Sequence, residues 1–171
     1  MAGQAYEGNF KVWRLDSEPS DWQDDDNPVV TQAELESGTR LLNLISDGGF
    51  AATPTTNTAS QAKVDLGKIS HNIGTREYSG LTIIHEADFP LEDDPMWNLY
   101  AYGDKVWFVV APGGFDDGEE VPPDGAALHV FESETDDPVP PLQMAQDTIQ
   151  NFQVTGAIQD WNVKATFEAT T

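Results

Sequence analysis

The stretch Lys105-Val106-Trp107-Phe108-Val109-Val110 gives the clearest indication of the fold of this 171-residue chain. Its residue types favour β-structure, and its consecutive apolar side chains alternate between the two faces of a strand. Both faces therefore need cover, either from a helix and a second sheet of the same chain or from another subunit. The following Pro112-Gly113-Gly114 predicts the end of the strand.

A second clear strand is predicted at the carboxyl end, where apolar residues at 161, 163, 165 and 167 alternate with polar ones. This period of two is typical of a strand with one buried face. Further strands are predicted over residues 8–15, 62–66, 78–88, 126–131 and 149–154. No repeat of strand then helix is present, which favours antiparallel pairing.

One helix is predicted to begin at Thr31, because Thr31 and Glu34 have the spacing of a capping box. Gly38 weakens the middle of this helix, and Asp47-Gly48-Gly49 predicts its end. The apolar residues near helical spacing are Leu35, Leu41, Leu42 and Ile45. A polar loop is expected over residues 53–60, and a short helical turn over residues 96–101.

These elements predict a mainly β fold with one flanking α-helix, as an antiparallel β-sandwich or small barrel. A chain of this length is expected to form a single domain over residues 1–171. Residues 1–7 are expected to be a flexible amino-terminal arm, and residues 16–28 and 112–125 to be acidic loops. No leader peptide or membrane-spanning stretch is recognised, so synthesis in a cytoplasm is expected.

The charge of the chain excludes several functions. Its 30 Asp and Glu against 8 Lys and Arg give a formal charge of −22. Such acidity argues against binding to nucleic acid and to anionic membranes, since both need cationic side chains. Two-thirds of the acids fall in four clusters, at residues 16–26, 86–94, 116–124 and 132–137. Solubility alone is the simplest explanation for this charge.

No catalytic, metal or cofactor site is expected from the sequence. The three histidines, His71, His85 and His129, lack metal-ligand spacing, and His85 and Glu86 would point to opposite faces of a strand. No nucleophile elbow, phosphate-binding loop or EF-hand is present, and there is no Cys. The chain is therefore not expected to be an enzyme.

Residues 28–41, Pro-Val-Val-Thr-Gln-Ala-Glu-Leu-Glu-Ser-Gly-Thr-Arg-Leu, resemble the opening of the major tail tube proteins of long-tailed (siphovirus-type) actinobacteriophages. Residues 53–58, 78–81 with the acidic loop at 88–94, and 103–110 are similar to that family too. The resemblance extends over residues 28–168. The stretch Val121-Pro122-Pro123-Asp124-Gly125 departs from it, where the family tends to have Gly-Asp.

The resemblance implies a β-sandwich of the tail-tube type that forms rings, generally hexameric, which stack into a hollow tube in the virion tail. Its partners would be copies of itself and the tape-measure, tail-terminator and tail-tip proteins, with assembly in the host cytoplasm. DNA would pass through the tube without specific binding. Terminal arms and one long loop would bridge the rings, and the candidate contact residues are Met1, Tyr6, Pro112, Gly113, Gly114, Phe115, Asp116 and Asp117.

The acidity would then keep DNA from adhering to the tube wall, because carboxylates repel phosphate. Carboxylates outside the four clusters are candidates for the lumen: Asp65, Glu77, Asp160 and Glu168.

Two alternatives remain open at this point. One is another self-assembling virion protein, either a tail terminator or a sheath-like protein. The other is a carbohydrate-binding β-sandwich, because five Trp and several Asp could form a sugar site, although the Trp residues are scattered through the chain.

Overall fold

A computed structural model describes residues 10–24, 26–42, 44, 49–63, 68–112, 119–140 and 150–169. The chain forms strands and one short α-helix in the order β1 (Lys11–Leu15), β2 (Val29–Thr31), α1 (Gln32–Ser37), β3 (Thr39–Arg40), β4 (Phe50–Lys63), β5 (Lys68–Glu86), β6 (Asp104–Ala111), β7 (Ala127–Thr135) and β8 (Asn151–Glu168). Two single 3₁₀ turns, Leu91–Asp93 and Trp97–Leu99, lie between β5 and β6. The second of these confirms the helical turn predicted over residues 96–101.

All eight strands belong to one sheet in the order β3-β1-β6-β7-β8-β5-β4, with β2 paired to β8. The pairs are antiparallel except for β2 with β8. The sheet curls over itself. Three strands lie between β4 and β6 in the sheet, yet the ring of Phe50 in β4 lies only 5.6 Å from that of Phe108 in β6. The predicted mainly β, antiparallel fold is confirmed, and one curled sheet provides both layers.

The central strand β6 is buried on both faces, as its sequence predicts. Phe108 and its alternate neighbours pack in one core with Ile83 and Phe152, inside the curl. Trp107 and Val109 pack in a second core, on the other face, where Trp22 and Leu35 cover the sheet. Full burial of such side chains stabilises the fold by about 1.5–3 kcal/mol each. Both faces are thus covered from within the chain, so two-faced strands alone no longer argue for a subunit partner.

The helix is shorter than predicted. The capping box is present, with the amide of Glu34 donating to the Thr31 hydroxyl and the amide of Thr31 donating to the Glu34 carboxylate. However, α1 ends at Ser37, and the expected continuation to Asp47-Gly48-Gly49 is wrong. Residues 39–40 pair with β1 instead. Pairing with a distant strand therefore overrides the local helical spacing.

The predicted polar loop over residues 53–60 is also wrong, since these residues lie within β4. Threonine is β-branched and favours strands, so its polarity does not by itself predict a loop. The strand predicted over 62–66 begins earlier, within β4, and its last residues lie outside the described ones. The strands predicted at 149–154 and from 161 onward are one continuous strand, β8.

Candidate subunit interface

The most distinctive feature of the sheet is a two-stranded arm, formed by residues 54–63 of β4 and residues 68–78 of β5. The two strands pair along their length, from Pro54 opposite Tyr78 to Lys63 opposite Lys68. β5 pairs with β8 only from Gly80 onward, so among the described residues the arm has no third strand. At about 3.3 Å per residue, ten residues extend the arm by about 30 Å.

The register of the arm shifts at two places, between Thr53 and Pro54 and between Thr56 and Thr58. Such shifts increase the local twist of a strand pair, and Pro54 suits an edge strand because it cannot donate to a ladder. The outer side of β4 is one edge of the sheet, and the two-residue β3 is the other. The molecule therefore presents two different strand edges and a projecting arm to its surroundings.

The candidate lumen residues are not gathered into one group. Asp65 lies outside the described residues. Glu77 lies opposite Thr55 in the arm, and Glu168 is exposed at the end of β8, opposite Thr31. Asp160 is half-buried in the middle of β8.

The structure does bring the positions of Glu77 and Asp160 close together. Each lies three residues beyond the last pair between β5 and β8, which joins Gly80 to Ala157. Tyr78 and Trp161 directly follow Glu77 and Asp160 in the sequence, and their rings lie 5.5 Å apart. The place where the arm leaves the sheet therefore carries two of the four candidate carboxylates.

Most of the candidate ring-to-ring residues, Met1, Tyr6 and residues 113–117, lie outside the described residues. Pro112 is half-buried at the end of β6. The pair Lys11–Ala111 places the start of β1 beside the end of β6, so Phe10 and Pro112 lie on the same side of the sheet. Each successive pair from β6 through β7 and β8 to β5 is antiparallel, so the first half of β5 lies on the same side of the sheet as the end of β6. The arm, which contains that part of β5, is therefore on this side too.

The acidic loop at residues 16–28 is braced against β8. The side-chain amide of Gln23 donates to Asp160, and the side-chain amide of Asn162 donates to the carbonyl oxygen of Trp22 at 2.7 Å. Trp22 itself is buried in the second core. The sequence does not reveal this brace, because Gln and Asn occur in many loops and carry no recognisable spacing here.

Asp24 shapes the tip of the acidic loop. Its carboxylate accepts hydrogen bonds from the amides of Asn27 and Asp26, at 2.9 and 2.8 Å. These bonds lower the pKa of Asp24 below its usual value, so its carboxylate stays charged under mildly acidic conditions.

His85 serves the packing of the core. It is fully buried, while Glu86 beside it is exposed, as the strand alternation predicts. Its Nδ1 lies 2.7 Å from the Leu42 carbonyl oxygen, which can only accept, so Nδ1 carries the proton. Nε2 then accepts from the Tyr100 hydroxyl, also at 2.7 Å. Within the described ranges, no group of three or more His, Asp or Glu could hold a metal ion.

The tryptophans do not form a sugar-binding platform in the described part of the chain. Trp13, Trp22 and Trp107 are buried in the second core. Trp97 packs edge-on against Phe152, and the half-buried Trp161 packs against Tyr78. Nothing in their placement favours the carbohydrate-binding alternative.

The part of the chain that the structure describes also has no helix long and apolar enough to cross a membrane.

The sequence matches the family model described as "Phage tail tube protein" over residues 2–167. The chain belongs to the phage tail tube protein family. The predicted resemblance is confirmed at this level, and a tail tube protein is a structural component of the phage tail. The narrower assignment to siphovirus-type actinobacteriophages stays a prediction.

Two solved structures share the fold of this tail tube protein. One is the sheath/tube terminator of the extracellular contractile injection system PVC in its extended state, with TM-score 0.54 and 12% identity over 90% of this chain and 91% of that one. The other comes from the six-fold symmetrised baseplate of the anti-feeding prophage, with TM-score 0.54 and 10% identity over 95% and 96%. No curated protein matches the sequence.

Proposed function

We propose that this tail tube protein assembles into rings, six subunits each, that stack to form the hollow tail tube of a long-tailed phage. The observation that carries this proposal is the arm. An isolated two-stranded ribbon is at best marginally stable in water, so an arm of this length calls for a partner outside its own sheet. Six subunits are favoured by the six-fold symmetrised baseplate that contains a similar fold.

The two edges of the sheet provide a way to close a ring. The edge at β4 and the edge at β3 and β1 differ, so joining one to the other in neighbouring subunits is a head-to-tail contact. Such contacts repeat around an axis and leave no strand edge free to aggregate. The described part of the arm lies on the same side of the sheet as Phe10 and Pro112, and we expect the arm and the segments next to these two residues to contact the neighbouring ring.

Passage of DNA through the tube is the function that the acidic chain suits best. A wall with few cations gives DNA no release of counterions and hence no gain on binding. Asp65, Glu77, Asp160 and Glu168 remain our candidates for this wall. Asp160 has a second role as the acceptor for Gln23, so its replacement would also loosen the acidic loop.

The further partners in this proposal are the tape-measure, tail-terminator and tail-tip proteins of the same phage. Assembly would take place in the host cytoplasm, and the mature protein would reside in the virion tail.

Negative-stain electron microscopy of the purified protein over a concentration series, with light scattering alongside, tests the assembly. We expect stacked rings or hollow tubes of uniform width. A protein that stays monomeric at every concentration, both alone and with tail-tip protein added as initiator, would contradict the proposal.

The lumen assignment has its own test in assembled tails. Lys replacements at Asp65, Glu77 and Glu168 should leave tube formation intact and reduce DNA delivery, whereas Asn or Gln at the same positions should have a smaller effect. Normal delivery by tails that carry all three Lys residues would show that these carboxylates do not face the DNA.

A tail terminator is the second candidate function, because the sheath/tube terminator of the PVC injection system shares this fold over most of both chains. A terminator forms one ring and then stops. Discrete single rings at all concentrations in the same micrographs would therefore favour the terminator over the tube subunit.

A further inference from the structure

The charge of the chain is divided unevenly between the arm and the rest of the protein. Residues 54–78, the arm with its connecting residues, contain three of the eight cations, Lys63, Lys68 and Arg76, and only two of the 30 carboxylates, Asp65 and Glu77. Their formal charge is +1. The remaining residues contain five cations and 28 carboxylates, for a formal charge of −23. The arm is thus a weakly cationic projection from a strongly anionic body.

Two of the three cations lie at the far end of the arm. Lys63 lies directly opposite Lys68 in the last described pair of the ribbon, whereas Arg76 lies opposite Thr56, near the base. Residues 63–68 thus contain two cations and one carboxylate. An anionic surface of a partner would suit this charge and would support a ribbon that pairs with no third strand among the described residues.

The acidic loop at residues 16–28 provides such a surface. It contains six carboxylates and no cation. The brace from Gln23 and Asn162 holds it beside β8, and a groove of about 460 Å³ lies between them. The lining of the groove contains two carboxylates, Asp24 and Asp26, and one cation, Lys164. The groove flanks residues 158–165, where β8 has left β5 and has not yet met β2.

We propose that the arm of one subunit docks on the acidic loop and groove of a neighbouring copy, and that opposite charge selects this contact. This inference rests on the proposed function and names the surfaces through which the subunits meet. It accounts for cations on a projecting arm in a chain that has to repel DNA, since docking places them against carboxylates of the neighbour. Electrostatic complementarity of this kind fixes the register of partners and accelerates their association.

A charge-swap experiment on the full-length protein tests the inference. Lys63→Glu with Lys68→Glu reverses the end of the arm, and Asp21→Lys with Asp26→Lys reverses two exposed positions of the loop, leaving the turn-forming Asp24 in place. The matched control is Glu92→Lys with Asp93→Lys, an exposed acidic pair in the 3₁₀ turn beyond the other end of β5. Far-UV circular dichroism confirms that each variant is folded.

We expect each reversal alone to raise the protein concentration for half-assembly about tenfold or more at 0.1 M salt, measured by light scattering. The four substitutions combined should restore assembly, because arm and loop are again opposite in charge. The difference between wild type and either reversal should nearly vanish at 1 M salt, where the screening length falls from about 10 Å to about 3 Å. The control pair should assemble at least as readily as wild type, since it lowers the net negative charge.

Four outcomes would overturn the inference. Arm reversal that leaves tubes unchanged, or combined variants that are no better than the single reversals, would refute the docking while leaving the tube function intact. Binding of duplex DNA by wild type but not by the arm-reversed protein at 0.1 M salt would assign the arm to DNA instead. A wild-type protein that never assembles would refute the proposed function and this contact with it.

Discussion

The packing around Gly38 leaves no space for a side chain. A Cβ there would lie 2.8 Å from the backbone oxygen of Arg14 and closer still to Cδ2 of Leu15. Gly38 has φ −86°, which any residue can adopt, so the requirement for glycine comes from contact and not from backbone strain. The close approach of β1 to the end of α1 therefore requires a residue without a side chain at this position.

We predict that Gly38→Ala lowers the free energy of unfolding by about 1–3 kcal/mol, since β1 would have to move away from the end of α1. Urea denaturation followed by tryptophan fluorescence measures the loss. Gly80→Ala is the matched control, because a Cβ on Gly80 meets nothing within 4 Å. Equal stabilities for the two variants would contradict this explanation.

His85 makes the stability of the core depend on pH. Burial lowers its pKa below the usual 6.5, although the bond to Leu42 and the charge of Asp94 oppose this shift. The unfolded chain therefore binds a proton at His85 more readily than the folded protein does. Stability is retained above pH 6.5 and is lost as the pH falls from 6.5 towards the lowered folded value.

We predict that the free energy of unfolding falls by up to about 1.4 kcal/mol per pH unit in this window. His85→Asn should have lower stability at pH 7 and a flatter dependence on pH, because its amide can donate to Leu42 but does not titrate. His129 also has a pKa lowered by burial and still titrates in this variant. Identical slopes for wild type and His85→Asn, measured by chemical denaturation at several pH values, would exclude His85 as the cause.

At the scale of elements, the start of α1 depends on its capping box. Burial alone would raise the pKa of Glu34, but the hydrogen bonds from Ser20 and Thr31 outweigh it and lower the pKa below its usual value. Glu34 thus joins the acidic loop to the first turn of the helix, through 2.7 Å bonds from the Ser20 amide and hydroxyl.

We predict that Thr31→Ala costs about 1 kcal/mol of unfolding free energy, because an amide of the first turn loses its acceptor. Thr31→Ser keeps the hydroxyl and should cost much less. Differential scanning calorimetry of both variants measures the difference at neutral pH, where Glu34 is ionised. A loss as large for Ser as for Ala would assign the effect to the β2 pairing of Thr31 and not to the cap.

At the scale of the whole molecule, the folded body and the arm have separate tasks. The core inside the curl includes a contact with Tyr78 at the base of the arm, whose ring lies 5.4 Å from that of Phe131. A chain in which Asn-Gly replaces residues 55–77 retains this contact and joins Pro54 to Tyr78 by a turn that suits a two-residue hairpin.

We predict that this shortened chain unfolds cooperatively with little loss of stability, and that it no longer forms tubes. Urea denaturation and electron microscopy at matched concentrations give the two measurements. A shortened chain that still forms tubes would refute the role of the arm in assembly. A chain that fails to fold would show that the body depends on the arm.

Much of the fold was predictable because its signals are local. The capping box needs only residues three apart, and β6 shows its two buried faces in a run of six residues. The continuity of β8 was not predictable, since its middle, around Gly156 and Asp160, has no apolar alternation. The candidate interface was harder to predict from the sequence, because the brace between Gln23 and Asp160 joins residues 137 positions apart.

The sequence by itself determined the β class, the two-faced central strand, the capped helical turn and an acidic body around a weakly cationic segment. Those properties follow from residue types and short spacings, which act on the backbone within a few residues. Only the tertiary structure decided that one sheet curls around the core, that α1 ends at Ser37 and that residues 54–63 and 68–78 pair as an arm. Each of these depends on contacts between residues far apart in the chain, whose energies appear only when the strands have paired.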